Sequence, residues 1–238
     1  MIVLDAIIPL PPMWCPRDAC ARRCVLLLST HMHAENLYEL EKKDLDKAVA
    51  TLKDAFQDDP VWNAVFRDDP NIDKALTGFF AIPLLYGMKF GKAYATSEQL
   101  EGVAVWVPGE KSSMGFLRLI ASGAVSYGSR IGSVSMKNLS TLAKQLEPDR
   151  KRIMSGKSYT YLTVIGVGSE YQGKGYGSTL LKKITTECDE TNRYLYLETE
   201  SEESVRFYER HGFRTEQKIV VSHIDVPMWQ MIRPPNAR

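Results

Sequence analysis

Between Ser169 and Ser178 the chain reads SEYQGKGYGS, with Gly173, Gly175 and Gly177 set around Lys174 and behind Gln172. Closely spaced glycines let a backbone adopt positive φ and bring successive N–H groups onto one anion. The strand-forming run YTYLTVIGV precedes the loop and the helical pattern STLLKKITTEC follows it. A loop that opens a helix is where phosphate binds, because the first-turn N–H groups are unpaired and the helix dipole favours negative charge. The loop is therefore read as a phosphate cradle, with a plain tight turn as the alternative. Two familiar phosphate motifs do not fit it. Gly168, Gly173 and Lys174 copy the start of G-x-x-x-x-G-K-[ST], but Gly175 stands where a hydroxyl would hold Mg²⁺. Gly173-x-Gly175-x-Gly177 lacks the G-x-G-x-x-G spacing of a dinucleotide fingerprint.

Downstream, RYLYLETE and ESVRFYERHGF carry the residues that could move protons. Tyr208 keeps its proton at neutral pH, its ordinary pKa being about 10, so it can act as an acid. Glu198 and Glu200 alternate onto one face of a strand. A glutamate in a partly buried cleft has a raised pKa and can accept a proton; the alternative is a solvated carboxylate. The histidines are poor candidates, His211 lying in a helix-closing turn and His223 in a late strand. Cys15, Cys20 and Cys24 lack the C-x₂-C pairing of a zinc site, and only His31 and His33 lie near enough to complete a set. No metal site is expected. Cys188 follows Leu180, Leu181 and Ile184 at helical spacing and is assigned to the core.

Gln172–Gly177 resembles the Q/R-x-x-G-x-G/A signature of the GNAT family of N-acetyltransferases. ESVRFYERHGF is similar to that family's second motif, with Tyr208, Gly212 and Phe213 on its fixed positions. The resemblance implies acetyl-CoA as co-substrate. Its pyrophosphate would lie on Gln172, Gly173, Lys174, Gly175, Tyr176, Gly177 and Ser178. The backbone of Ile165, Gly166 and Val167 would meet pantetheine and the acetyl oxygen. Ser201 and Ser204 occupy second-motif positions beside the cofactor, where Asn and Ala are usual. Tyr208 would give a proton to the CoA sulfur, and Glu198 would be the base.

The elements that must position these groups follow from periodicity. Leu45, Ala48, Val49, Leu52, Ala55 and Phe56 form a helical stripe with Asp44 as expected N-cap. Residues 76–90 read as a second helix bent at Pro83. AYATS and LEGVAVWVPG read as strands, and residues 112–150 as broken helix followed by a helix that stops before Pro148. SVRFYERHG closes on Gly212, and EQKIVVSHI and PMWQMIR are late strands. Helices alternating with strands make part of the sheet parallel. The expected fold is α/β: a mixed, twisted sheet of six or seven strands flanked by helices and splayed at the cofactor. Residues 1–34 are broken by prolines and read as a flexible extension; residues 35–238 form one acetyltransferase domain.

At 238 residues, 44% hydrophobic, with a formal net charge of +1, the chain has an ordinary globular composition and gives no overall sign of a nucleic-acid partner. No apolar run is long enough for a membrane span, and a cytoplasmic location is expected. A homodimer is compatible with the sequence. Phe56, Trp62, Phe66, Phe79, Phe80 and Tyr86, with Asp58, Asp59, Asp68 and Asp69 nearby, lean toward a small hydrophobic amine as acceptor. Two alternatives stay open: a protein or peptide acetyltransferase with an open groove, and a CoA-binding sensor without catalysis.

Overall fold

A computed structural model describes residues 37–236. The extension expected over residues 1–34, with Cys15, Cys20, Cys24, His31 and His33, lies outside the described residues. Seven strands form one sheet: β1 (Tyr38–Glu39), β2 (Lys92–Ala95), β3 (Gly102–Pro108), β4 (Tyr159–Val167), β5 (Tyr194–Thr199), β6 (Arg214–Val221) and β7 (Val226–Arg233). Their spatial order is β1-β2-β3-β4-β5-β7-β6. Only β4 and β5 run parallel; every other neighbouring pair is antiparallel.

Helices cover both faces. On one lie α1 (Leu45–Ala55), α2 (Pro60–Phe66), α3 (Ile72–Phe90) and α6 (Ser133–Ile153), whose apolar stripes share a core with Val103, Val105 and Val164. On the other lie α7 (Tyr176–Glu190) and α8 (Glu202–Arg210). There Leu180, Leu181, Ile184 and Cys188 of α7 pack with Val205, Phe207 and Tyr208 of α8 against Leu162, Ile165 and Leu197. The helical spacing of those α7 residues fixes which face of the helix is buried. Cys188 is a core residue, as its spacing indicated.

Several sequence expectations need correcting. Asp44 does not cap α1 with its side chain: its carboxylate accepts the N–H of Glu41 at 2.9 Å and the hydroxyl of Tyr38 at 3.0 Å. Residues 60–66 form a helix that periodicity did not reveal. Asp59 Oδ1 caps it, accepting from the N–H groups of Val61 (2.7 Å) and Trp62 (3.0 Å), with Pro60 in the first turn where no N–H is needed. α6 does not stop before Pro148 but runs on to Ile153. A proline there forfeits one backbone bond. Tertiary bonds hold the last turns instead: Ser113 Oγ donates to Glu147 at 2.6 Å, Gln217 donates to Asp149 at 3.0 Å, and Arg150 points into the core. The Gly- and Ser-rich stretch after Ser112 is broken helix as expected, forming α4 (Phe116–Ser122) and α5 (Val125–Gly128). No helix among the described residues is long and apolar enough to cross a membrane.

Candidate active site

β4 and β5 pair only at Tyr159–Tyr194, Thr160–Leu195 and Tyr161–Tyr196. Beyond Tyr161 the strands part, β4 continuing to Val167 and β5 to Thr199. The cause is local. Opposite β3, Val105 faces Val164 and Trp106 faces Leu162, so Thr163 is an extra residue in β4. A bulge bends the strand that carries it. Thr163 Oγ1 donates to the Val105 carbonyl at 2.8 Å and secures the bulge. The edge of residues 162–167 that faces β5 therefore has no strand partner, leaving a V-shaped opening between parallel strands.

The glycine loop closes the wide end of that V. Asp54 at the end of α1 accepts from Ser169 N (2.6 Å) and Ser169 Oγ (3.0 Å), and Gln172 Nε2 donates back to the Val167 carbonyl at 3.2 Å. Past Gln172 the loop is open. Gly173 and Gly175 have φ of +72° and +88°, and a Cβ on either would meet nothing within 4 Å. Gly175 caps α7 without a side chain, so the first-turn N–H groups of Tyr176, Gly177 and Ser178 receive no side-chain cap. Val167, Tyr171, Gln172, Gly173, Gly175–Ser178 and Phe207 line a concavity of about 170 Å³ there. A diphosphate fits this cradle by shape and charge. Lys174 is exposed, its ammonium over the Tyr171 ring at 5.4 Å.

The other expected residues lie on β4 and α8. Ile165 turns its side chain toward α7 and α8. A Cβ on Gly166 would lie 3.0 Å from Leu52, Ala55 and Phe56, so this glycine lets α1 close on β4. Ser201 caps α8, accepting the Ser204 N–H at 3.1 Å and donating to Ser204 Oγ at 2.9 Å, so the two serines bond each other. Tyr208 is fully buried on the α8 side of the V, its ring edge-on to Phe207 and Phe213.

The two glutamates differ sharply. Glu198 is fully buried and saturated: Tyr161 donates to Oε2 at 2.6 Å, Tyr196 to Oε1 at 2.9 Å, and Arg150 reaches Oε1 at 3.5 Å. The Arg150 guanidinium also lies 4.6 Å from the Tyr161 ring centre. Burial and the Glu198 charge push both tyrosine hydroxyls well up, so they stay protonated donors. Glu200, just past the end of β5, is 3% exposed, and the side-chain hydrogen-bond partner its carboxyl meets is the Asp59 carboxyl, the two sharing a proton. Burial first, then the facing Asp59 carboxyl, raise its pKa well above the ordinary value. Of the aromatics, Phe79, Phe80 and Tyr86 belong to the core, whereas Phe56, Trp62 and Phe66 also line a cavity of about 340 Å³ with Ile72 and Leu76. Asp69 is a structural cap, accepting from Asn71 N at 3.0 Å and Gly132 N at 2.9 Å. Sequence reasoning did not single out Arg150. No group of three or more potential metal ligands occurs among the described residues.

A sheet parted between parallel strands, with an unhindered glycine loop at its mouth, defines an acyl-CoA transferase fold, and the comparisons agree. The profile of the Acetyltransferase (GNAT) family matches residues 114–213. An uncharacterized N-acetyltransferase of Schizosaccharomyces pombe is 27% identical over 204 residues, covering 82% of each chain. A crystal structure from Corynebacterium glutamicum, described as histone acetyltransferase HPA2 and related acetyltransferase, superposes with a TM-score of 0.59 at 22% identity, covering 85% of this chain and 97% of that one. A putative arylalkylamine N-acetyltransferase from the yellow fever mosquito gives a TM-score of 0.59 at 13% identity, covering 82% and 85%. At such identities the two structures speak for the fold alone. Residues 114–213 thus match the GNAT family, and the chain is similar to N-acetyltransferases along most of its length; that likeness implies acetyl-CoA as acetyl donor.

Proposed function

We propose that the protein acetylates the amine of a small, apolar molecule at the expense of acetyl-CoA. The parting of β4 from β5 beside an open glycine loop carries this reading, because it offers unpaired backbone and unpaired N–H groups in one continuous groove. Acetyl-CoA supplies the activated acetyl thioester. The loop from Gln172 to Ser178 would hold its pyrophosphate without a metal. The free β4 edge would orient the acyl arm and polarise the carbonyl. Tyr208, with its proton in place at neutral pH, is the candidate acid on one side of the V.

On the other side the base falls to Glu200 rather than Glu198. The carboxylate of Glu198 is committed to three donors. That of Glu200 meets only the Asp59 carboxyl and has a raised proton affinity, which suits a group that must take a proton. The cavity walled by Phe56, Trp62 and Phe66 supplies apolar surface on that same side of the sheet. VGSEYQGKGYGS and LETESEESVRFYERHGF also resemble segments of puromycin N-acetyltransferase, which adds an aromatic aminoacyl amine to the acceptors worth trying. Thiol release from acetyl-CoA with a panel of amines tests the reading. Arylalkyl and aminoacyl amines are expected to give higher kcat/KM than aminoglycosides or lysine peptides. A lysine peptide or protein N-terminus favoured by tenfold or more would replace it with protein acetylation.

A further inference from the structure

Eight large hydrophobic side chains are exposed among the described residues, and six of them fall between residues 116 and 136. Single exposed apolar residues are ordinary on a protein surface; their concentration in one segment is not. The segment runs through α4, α5 and the first turn of α6, the helical insertion between β3 and β4. In α4, Leu119 packs against the core, while Phe116, Leu117 and Ile120 are 68%, 80% and 50% exposed. Val125 in α5 and Val134 and Met136 in α6 continue the series. Both short helices rest on α3, and the Ala124 N–H donates to the Leu119 carbonyl at 3.0 Å, which ties α5 to α4. The charge of the same segment is one-sided. Residues 111–146 hold Lys111, Arg118, Arg130, Lys137 and Lys144 and no aspartate or glutamate. The acids that border them are engaged elsewhere: Glu110 with Arg193 at 3.1 Å, Glu147 with Lys151 at 2.8 Å, and Asp69 with the N–H groups of Asn71 and Gly132.

We propose that this face of the insertion docks on an anionic lipid bilayer, with Phe116, Leu117 and Ile120 entering the headgroup region and the basic residues meeting the negative lipid surface. Apolar side chains that protrude from a short helix gain by leaving water, and Lys and Arg are drawn to an anionic membrane within a Debye length. Tyr127, half-buried under the Arg130 guanidinium at 4.2 Å, has the apolar body and polar tip that suit an interface. Charge distinguishes this occupant from a second copy of the chain: a two-fold contact lays the patch on itself and sets cation against cation. Apolar character distinguishes it from a nucleic acid, whose phosphates would engage the cations and leave Leu117, Ile120 and Val125 in water. A bound peptide helix lies in a groove, whereas Phe116 and Leu117 stand out from the surface. The docking is peripheral, since no helix among the described residues is long and apolar enough to cross a membrane. It is independent of which amine the protein acetylates.

Co-sedimentation of the full chain with vesicles tests this, comparing phosphatidylcholine alone with phosphatidylcholine containing about 30% phosphatidylserine. At about 0.1 M salt the anionic vesicles are expected to bind at least about tenfold more tightly. The preference should shrink at about 1 M salt, where the Debye length falls to about 3 Å. Phe116→Ser combined with Leu117→Ser should weaken binding to the anionic vesicles by at least about tenfold. Tm should stay unchanged, because both side chains already face solvent. Lys137→Glu combined with Lys144→Glu, as an independent variant, should cut the preference for anionic over neutral vesicles to about twofold or less. No vesicle binding, equal binding to the two lipid compositions, or binding that survives the apolar double substitution would overturn the proposal. Dimerisation without vesicle binding, lost in the Phe116→Ser and Leu117→Ser variant, would overturn it in favour of a second copy.

Discussion

Glu198 and Glu200 stand two residues apart and face the same side of the sheet, yet their surroundings are opposite. Around Glu198 two buried tyrosine hydroxyls donate and a guanidinium lies at 3.5 Å, all converging on one carboxylate. Around Glu200 there is a second carboxyl, with which it shares a proton, and no lysine, arginine or histidine. A saturated buried network fixes a structure, because each member would be costly without the others. An unsatisfied one lowers stability and persists where something outside the chain completes it. The network joins α6, β4 and β5 at the last pair of those strands, Tyr161–Tyr196, and just beyond it; Glu200 lies past the end of β5. On the function proposed above, structural and chemical duties divide between Glu198 in β5 and Glu200 just past its end.

The largest expected effect breaks the closed side. Glu198→Ala would strand a buried guanidinium, costing about 3–5 kcal/mol. A fall in Tm of roughly 6–20 °C by differential scanning fluorimetry would follow for a chain of this size. Less than about 1 kcal/mol lost would show that Arg150 finds other partners. Next comes the opposite wall of the V. Tyr208→Phe should lower kcat by about 10²-fold while calorimetric affinity for acetyl-CoA stays unchanged, since a proton donor matters chiefly in the transition state. An unchanged kcat would place the proton elsewhere. Gly175→Asp strains a backbone held at φ +88° and puts a negative charge into the cradle. Acetyl-CoA affinity should fall by at least about tenfold, the scale of one charged contact; undiminished binding would remove the loop from the cofactor site. The smallest effect is Ser201→Ala, which removes the α8 cap for about 1 kcal/mol. Tm should drop by a few degrees with cofactor affinity intact, whereas weaker acetyl-CoA binding would return Ser201 to the cofactor.

How much of this was legible depends on how local each signal is. β4 matches its expected span of 159–167, and α7 and α8 begin within two residues of theirs, because β-branched runs, glycine turns and helical stripes are short-range signals. Asp59-Pro60 was a cap-and-first-turn signature for α2 that periodicity alone overlooked. α6 passes Pro148 because contacts from Ser113 and Gln217, distant in sequence, outweigh a local rule. The two glutamates could be placed on one face from their spacing. Their difference could not, because it depends on Arg150, Tyr161 and Asp59, brought together from separate parts of the chain. Gly166 shows a similar limit: its packing role appears only once α1 lies across β4.

The contrast between the two glutamates is tested most directly by Glu200→Gln, measured for Tm against pH and for kcat/KM in the same preparation. In the unfolded chain this carboxyl loses its proton near its ordinary value of 4.5, while in the fold it holds it to higher pH. The folded state then binds more protons than the unfolded one, so wild-type stability declines as pH rises above that value. Glutamine removes the decline. The variant should melt above wild type at about pH 8, with the margin closing toward about pH 4, while kcat/KM falls by about 10²-fold or more. A variant that melts lower than wild type at high pH and keeps its activity would contradict the account, making Glu200 a structural residue like its neighbour.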